Sequence, residues 1–303
     1  MPSVQKRRII EKTRKREKRG RVYLVAIVLI IIAVAVGWYA YSAATTPRPD
    51  FTIAAPTGVT ILAGTPTNSI ITITAVNQFS GTVLLTAKGS TGLTATISPS
   101  SVTGSGTATL TTSAAANGSY TVTVNATSGS LIHTVTPRVA TPVHATLITS
   151  YGTIQVELYP AQAPKTVANF VNLAQSGFYS NLTWHRVVKG FVIQTGDPTS
   201  KNAGGINSTW GQHGSSQTVP LEIDPSLRNL AGYLGMARST DPNSGSSQFY
   251  INLASNPSLD GNYTVFGKVT AGMDVALTIG NVPVYPTSNQ PVNPVFLTSV
   301  TIR

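Results

Sequence analysis

Few side chains in this 303-residue sequence could carry out chemistry, and most reaction classes can be excluded at once. There is no cysteine, which excludes thiol nucleophiles, thiolate zinc sites and iron–sulfur clusters. The four histidines are not at metal-ligand spacing, and neither a Gly-x-Ser-x-Gly elbow nor a phosphate-binding loop occurs. His185 follows Trp184 and is better explained as a buried core residue than as an acid–base group. Asp197 and Asp260 flank turns. We therefore expect no metal and no cofactor.

Three sequence blocks near the C-terminal end form the most specific pattern. The first is WHRVVKGFVIQTGDP at 184–198, the second pairs LGMAR at 234–238 with GSSQFYI at 245–251, and the third is LDGNYTVFGKV at 259–269. Their order and spacing resemble the cyclophilin-type peptidyl-prolyl cis-trans isomerases, and the resemblance covers residues 144–303. It implies a cyclophilin-like, eight-stranded closed β-barrel with two helices, and an enzyme that catalyses rotation about X–Pro peptide bonds.

The resemblance also implies roles for individual residues. Arg186 matches the catalytic arginine, and its permanent charge and fork of donors suit an approach to a prolyl amide better than Lys would. Gln194 matches the residue that orients this arginine. The apolar wall around the proline ring corresponds to Phe191, Val192, Tyr250 and Leu259. The groove for the flanking substrate backbone corresponds to Ala237, Arg238 and Gln248, with Tyr263 where many relatives have His.

Four further positions depart from the usual pattern of the family. Val192 replaces Met and Tyr250 replaces Phe, and both keep an apolar body. Ser258 stands where cyclosporin-sensitive members have Trp, so we expect weak cyclosporin binding. Asn202 falls where a loop glycine is common, and Asn tolerates left-handed backbone better than most residues. The changes at Ser258, Tyr250 and Tyr263 leave open a non-catalytic module that binds proline peptides or acts as a chaperone.

The elements that must position these residues follow from local patterns. After Pro164, apolar residues at helical spacing predict a helix that Gly177 ends, and a second helix fits Met273–Ile279. Eight strands are predicted, at His144–Leu147, Gly152–Leu158, Leu182–Val187, Phe191–Gln194, Tyr233–Ala237, Phe249–Asn252, Thr264–Val269 and Val295–Ile302.

The N-terminal region consists of a basic segment followed by an apolar segment. Ten of the 21 Lys and Arg residues lie within residues 1–21, and an uncharged apolar run follows at 22–41. About 20 helical residues span the roughly 30 Å of a bilayer core, and cations on one side favour a cytoplasmic N-terminus. We expect a basic cytoplasmic tail at 1–21, a single-pass transmembrane helix at 22–41 and a linker at 42–49. A cleaved signal peptide is the alternative.

Residues 50–143 are rich in Thr, Ser, Val and Gly, with apolar residues alternating in short runs between turn signals. Phrases such as GSYTVTVNATSG resemble immunoglobulin-like modules of prokaryotic surface proteins, which implies a β-sandwich. Seven strands are predicted, at Thr57–Leu62, Ser69–Val76, Gly81–Ala87, Thr94–Ile97, Gly106–Thr111, Ser119–Ala126 and Leu131–Pro137. A spacer role is the first expectation, and an adhesive surface protein that acts through this module is the alternative.

The sequence thus predicts a mainly β protein of the cell membrane, with its folded part outside the cytoplasm. Its expected partners are proline-containing segments of exported proteins, and membrane lipid around residues 22–41. Beyond residue 21 the charges are nearly balanced, so we expect no nucleic-acid binding. We expect a monomer.

Overall fold

The computed structural model describes residues 4–45 and 47–303. Residues 1–3 of the predicted tail and residue 46 of the predicted linker lie outside the described residues. The described chain is mainly β-structure, with 19 strands, three α-helices and two short 3-10 turns. This confirms the prediction of a mainly β protein.

The first of two compact units is built around helix α1 (Val4–Thr45). This unit comprises the chain up to Asp50 together with Val76–Phe79. Helix α1 continues on both sides of the predicted spanning segment, so it includes part of the predicted tail and the start of the predicted linker. Within it, Arg14–Ser42 is long and apolar enough to cross a membrane, a test of length and composition that a signal sequence also passes.

The second unit comprises Phe51–Ala75 and Ser80–Arg303, and its first part contains two sheets. Their strands are β1 (Asp50–Ala54), β2 (Gly58–Thr60), β3 (Thr67–Val76), β4 (Thr82–Gly89), β5 (Leu93–Ser98), β6 (Ser101–Thr103), β7 (Gly106–Ala114), β8 (Ser119–Ser128), β9 (Leu131–Val135) and β10 (Arg138–Ala140). One sheet has the order β1-β3-β7-β5, and the other has β2-β10-β8-β4-β6, with β9 also paired to β8.

The sequence patterns predict seven of these ten strands and miss β1, β6 and β10. Strands β6 and β10 are three residues long, too short to show an alternating pattern. Strand β1 contributes the buried Phe51, whose ring packs edge-on against His133 of β9, with 4.7 Å between the ring centroids. The two sheets therefore touch at this point. The immunoglobulin-like assignment stays a prediction.

The rest of the second unit forms a nine-stranded sheet. Its strands are β11 (Val143–Thr149), β12 (Gly152–Leu158), β13 (Leu182–Thr183), β14 (Arg186–Val188), β15 (Val192–Thr195), β16 (Tyr233–Met236), β17 (Phe249–Asn252), β18 (Val265–Ala271) and β19 (Phe296–Ile302). Their order is β13-β19-β11-β12-β18-β16-β17-β15-β14. Two helices accompany the sheet, α2 (Pro164–Gln175) and α3 (Met273–Ile279), as the sequence predicts.

The prediction of one continuous strand over Leu182–Val187 is wrong, which is why the sheet has nine strands and not eight. The chain leaves the ladder at Trp184, whose backbone N–H donates to the Val295 carbonyl at 2.8 Å. Before this break β13 pairs with β19, and after it β14 pairs with β15. The two outermost strands of the sheet, β13 and β14, are therefore consecutive in the chain and lie within residues 182–188. A closed barrel needs such a connection, and closure itself stays a prediction.

Helix α2 supports the sheet through its apolar face. Pro164 occupies the start of the helix, and Gly177 lies just beyond its end with φ of 72°, as expected for a residue that terminates a helix. Phe170 is fully buried, and its ring lies 5.4 Å from that of Phe249 and 5.6 Å from that of Phe266. These contacts pack helix α2 against strands β17 and β18 on the core side of the sheet.

Strand β2 makes a close contact with the segment that precedes helix α2. A Cβ added to Gly58 would lie 2.6 Å from the carbonyl oxygen of Ala161, so this position admits only glycine without a shift. On either side, Thr57 Oγ1 donates to Asp224 Oδ2 at 2.6 Å, and Thr60 Oγ1 donates to Gln162 Oε1 at 3.1 Å. The first two sheets are thus joined to the nine-stranded sheet by a packed contact.

We predict that Gly58→Val separates this contact and lowers the free energy of unfolding by about 1–3 kcal/mol, as overpacking does elsewhere. Urea unfolding measures the free energy, and amide hydrogen exchange at Gln162 and Asp224 reports the contact. Ala54→Val, at an exposed position of β1, is the matched control and should change neither. Unaltered exchange in Gly58→Val would show that the contact is not stable in solution.

Candidate active site

Four of the central positions lie in one row across neighbouring strands. In the antiparallel registers, Arg186 of β14 is opposite Gln194 of β15, Gln194 is opposite Tyr250 of β17, and Tyr250 is opposite Gly235 of β16. Residues directly opposite each other in a sheet project from the same face. The ladder therefore brings the predicted catalytic pair and one predicted wall residue together.

A chain of side-chain hydrogen bonds begins at the arginine. Arg186 Nη1 donates to Gln194 Oε1 at 3.4 Å, and Gln194 Nε2 donates to Gln248 Oε1 at 2.9 Å. Gln248 Nε2 in turn donates to the His213 carbonyl at 2.6 Å. Each glutamine amide both accepts and donates, so neither can rotate without losing two bonds. The direction of the guanidinium is set by this chain.

The predicted wall residues are placed beside this row. The Arg186 guanidinium carbon lies 5.7 Å from the centroid of the Phe191 ring. Val192 and Tyr250 are buried, and Leu259 is half-buried at the end of a 3-10 turn. The rings of Tyr250 and Tyr263 meet edge to face, with 6.0 Å between centroids. Together these side chains give the site apolar surfaces next to a cation.

Ala237 and Arg238, predicted to line the substrate groove, make contacts within the protein. The Ala237 N–H donates to the Gln248 carbonyl at 2.9 Å. The Arg238 guanidinium lies 4.8 Å from the centroid of Tyr263, and its Nε donates to the Asn262 carbonyl at 2.8 Å. Arg238 therefore holds Tyr263 in place, and direct contact of either residue with substrate stays a prediction.

Comparison with known families decides the identity of this part of the chain. The family model described as "Cyclophilin type peptidyl-prolyl cis-trans isomerase/CLD" matches residues 144–302. The chain belongs to the cyclophilin family. It carries a cyclophilin-type peptidyl-prolyl cis-trans isomerase domain and is an enzyme of that class.

Individual cyclophilins are similar to the chain over this domain. Peptidyl-prolyl cis-trans isomerase-like 1 of Aspergillus niger is 47% identical over 133 residues, which are 44% of this chain and 78% of that protein. Peptidylprolyl isomerase domain and WD repeat-containing protein 1 of Mus musculus is 39% identical over 155 residues, 51% of this chain and 23% of that protein. The crystal structure of a Cryptosporidium parvum cyclophilin-type isomerase in the presence of the dipeptide Ala-Pro is 35% identical, with a TM-score of 0.46 over 53% of this chain and 98% of that one.

Asp197 of the cyclophilin domain supports the polar chain in a way that sequence reasoning missed. Its buried carboxylate accepts hydrogen bonds from the backbone N–H groups of Thr199, Gly211 and His213, at 2.8, 2.7 and 3.2 Å. Burial alone would raise the pKa of Asp197, but a hydrogen bond from the Thr199 hydroxyl at 2.6 Å, together with these backbone bonds, outweighs it and holds the pKa below its ordinary value. The bond to Thr199 confirms the predicted turn carboxylate. The bond to the His213 N–H also holds in place the residue whose carbonyl accepts from Gln248.

Two of the cyclophilin's departures from the family pattern have a structural explanation. Asn202 adopts a left-handed backbone with φ of 55°, as the sequence predicts. The Tyr250 hydroxyl donates to Asn229 Oδ1 at 2.8 Å, and a Cβ on Gly235 would overlap the Tyr250 ring. The extra hydroxyl therefore has both a partner and the space it needs.

Adjacent basic side chains of the cyclophilin domain differ in charge. Burial lowers the pKa of the Arg186 guanidinium, whose ordinary value is so high that the group stays a cation at neutral pH. Burial also lowers the pKa of His185 to about 4, so this imidazole is neutral at pH 7. His185 is thus a core residue, as predicted, and the cation beside the apolar walls is Arg186.

We predict that acidification destabilises the cyclophilin domain through His185. Above pH 6.5 the histidine is neutral in both states, whereas between pH 6.5 and about 4 only the unfolded chain takes up the proton. The free energy of unfolding should fall across this window by up to about 3 kcal/mol. Urea titrations from pH 7 to 4.5 measure it, and His185→Gln should flatten the slope while the exposed His144→Gln should not. An equal slope in His185→Gln would contradict the assignment.

Proposed function

We propose that the cyclophilin domain accelerates X–Pro rotation by presenting the Arg186 guanidinium to the prolyl nitrogen. The barrier to this rotation is about 18–20 kcal/mol and arises from resonance between the nitrogen lone pair and the carbonyl group. Twisting the bond localises the lone pair on the nitrogen. A fixed donor interacts more strongly with this localised pair than with the planar amide, so it stabilises the twisted state selectively.

The observation that carries this proposal is the row of Arg186, Gln194 and Tyr250, with the hydrogen bonds that lead away from it. The guanidinium is oriented before substrate arrives, so little reorganisation is needed when the bond twists. No atom is transferred in the rotation. The proposed mechanism therefore needs only a placed donor, an apolar pocket and contacts to the flanking backbone.

The proposed substrates are proline-containing polypeptides. The proline ring would lie against the apolar walls, which are formed by Phe191, Val192, Tyr250 and Leu259. The flanking backbone would run along the groove, which is formed by Ala237, Arg238, Gln248 and Tyr263. The burial of Val192 and Tyr250 supports a water-poor pocket, in which a donor acts more strongly than it does in bulk water.

We predict that Arg186→Ala lowers kcat/KM by at least about 100-fold, the effect of losing a main transition-state donor. A protease-coupled assay on a proline peptide measures the rate. Lys189→Ala, which removes an exposed cation three residues away, is the matched control and should keep the wild-type rate. Equal rates in Arg186→Ala and wild type would refute the mechanism. No rate in the wild type would favour a module that only binds peptides.

We further propose that the protein is anchored in the cell membrane and assists the folding of exported proteins. Three features support this: the apolar segment within Arg14–Ser42, the basic residues on its N-terminal side, and the position of the isomerase domain after it in the chain. An asymmetric distribution of cations favours a cytoplasmic N-terminus. The catalytic domain would then face unfolded chains that leave the cytoplasm.

In this proposal, residues 50–143 are an immunoglobulin-like spacer that carries the isomerase away from the bilayer. The strands β1–β10 and their two sheets support a folded module in place of a flexible tether. The contact of Gly58 with Ala161 supports a spacer that is held against the isomerase domain. A folded spacer would keep the isomerase groove at a distance from the bilayer.

We predict that a full-length chain with a C-terminal tag is found in the membrane fraction, and that external protease removes the tag from intact spheroplasts. Replacing the cations of residues 12–21 by Gln should leave the chain in the membrane but reduce the digested fraction, because these charges set orientation. A tag released in soluble form would identify a cleaved signal peptide. A tag protected in the wild type would contradict the proposed orientation.

A further inference from the structure

Three buried asparagines of the cyclophilin domain form one hydrogen-bonded group. Asn229, Asn252 and Asn256 are 1%, 0% and 8% exposed. Asn252 Nδ2 donates to Asn229 Oδ1 at 3.3 Å, and Asn256 Nδ2 donates to Asn252 Oδ1 at 2.7 Å. We call these three residues the asparagine cluster. Buried amides destabilise a fold unless they are paired, so their presence here calls for a specific role.

The asparagine cluster contacts three of the four proposed walls of the proline pocket. The Tyr250 hydroxyl donates to Asn229 Oδ1 at 2.8 Å. Asn256 Nδ2 donates to the Phe191 carbonyl at 3.1 Å, and the Asn256 carbonyl accepts from the Leu259 N–H at 3.0 Å. These walls come from different segments of the chain, and the cluster is a shared partner of all three.

Further bonds fix the asparagine cluster to the domain. The Asn229 N–H donates to Asp260 Oδ1 at 2.7 Å, and the Asn256 N–H donates to the Asn229 carbonyl at 2.7 Å. Asn252 Nδ2 also donates to the Tyr233 carbonyl at 3.0 Å. Amide groups held at both ends have one orientation, which makes the cluster a rigid support.

We infer that the asparagine cluster is a positioning device that sets the spacing of Phe191, Tyr250 and Leu259 and thereby the affinity of the pocket for the prolyl ring. The inference rests on the proposed function, because it takes these residues as the walls of the proline pocket. The pairing of β15 with β17 already relates the segments of Phe191 and Tyr250, whereas Leu259 lies in a 3-10 turn outside that ladder. The hydrogen bonds to the asparagine cluster add directional constraints on the Tyr250 side chain and on the turn of Leu259.

The kinetic consequence differs from that of losing Arg186. The pocket grips the ring in the planar and twisted states alike, so a looser pocket weakens binding to both and raises KM while kcat is unchanged. Arg186 acts on the twisted state, so its loss lowers kcat. A variant that is merely misfolded reduces the amount of active enzyme and lowers apparent kcat at unchanged KM.

The test uses the full-length protein and a proline peptide, with kcat and KM measured separately by NMR exchange over a range of peptide concentrations. Asn229→Ala and Tyr250→Phe should each raise KM by about 2- to 10-fold, the range expected for the loss of a buried hydrogen bond. Tyr250→Phe keeps the ring and so tests the inference even if Asn229→Ala does not fold. The control is Gln290→Ala, which removes another buried amide, bonded to the Asn207 backbone and not to the walls. It should leave KM at its wild-type value.

Unchanged KM in both test variants would overturn the inference, as would a loss of kcat alone or an equal rise of KM in Gln290→Ala. Arg186→Ala, run in the same assay, separates this outcome from a failure of the proposed function. If Arg186→Ala lowers kcat while the cluster variants behave as wild type, the mechanism stands and the positioning role is refuted. If Arg186→Ala keeps its kcat, the proposed function itself is refuted.

Discussion

Residues of the site alternate with residues of the core along the strands that carry it. Arg186 and Gln194 project from one face, and the neighbouring pair Val187 and Ile193 is buried on the other, with Ile193 opposite Ile251. A slip of one residue would turn this apolar set to the site face and the polar set to the core. Burial of the core therefore selects the register of β14, β15 and β17, and this register places the Arg186 guanidinium on the site face.

The partners of the cation are amides and not carboxylates. Arg186 is bonded to Gln194, and the buried Asp197 is connected to the same chain through His213, whose N–H donates to Asp197 and whose carbonyl accepts from Gln248. A carboxylate in direct contact would form a charge-assisted bond and take up the donors that the reaction requires. Amides orient the guanidinium while leaving its charge unpaired. In the proposed mechanism, partial burial strengthens the effect of this charge on a prolyl nitrogen.

The parts of the fold that could be predicted are the elements that a short, continuous sequence pattern determines. Helix α3 and strand β17 have the predicted bounds because a single pattern covers each of them, and the resemblance to cyclophilins pointed to Arg186 and Gln194, which the structure brings together. The break at Trp184 was not predictable, because it depends on pairing with β19, more than a hundred residues later. The asparagine cluster was missed for a similar reason, since Asn229 meets Asn252 and Asn256 only in the folded domain.

The substitution of Tyr250 for the family's usual Phe shows why a departure from a pattern must be judged with its surroundings. A hydroxyl buried without a partner destabilises a protein, and it also needs space. Here Asn229 accepts the hydroxyl, and Gly235, opposite on β16, leaves room for the ring. The change is therefore accommodated and keeps the apolar face of the ring. The proposed pocket therefore keeps its apolar lining at this position.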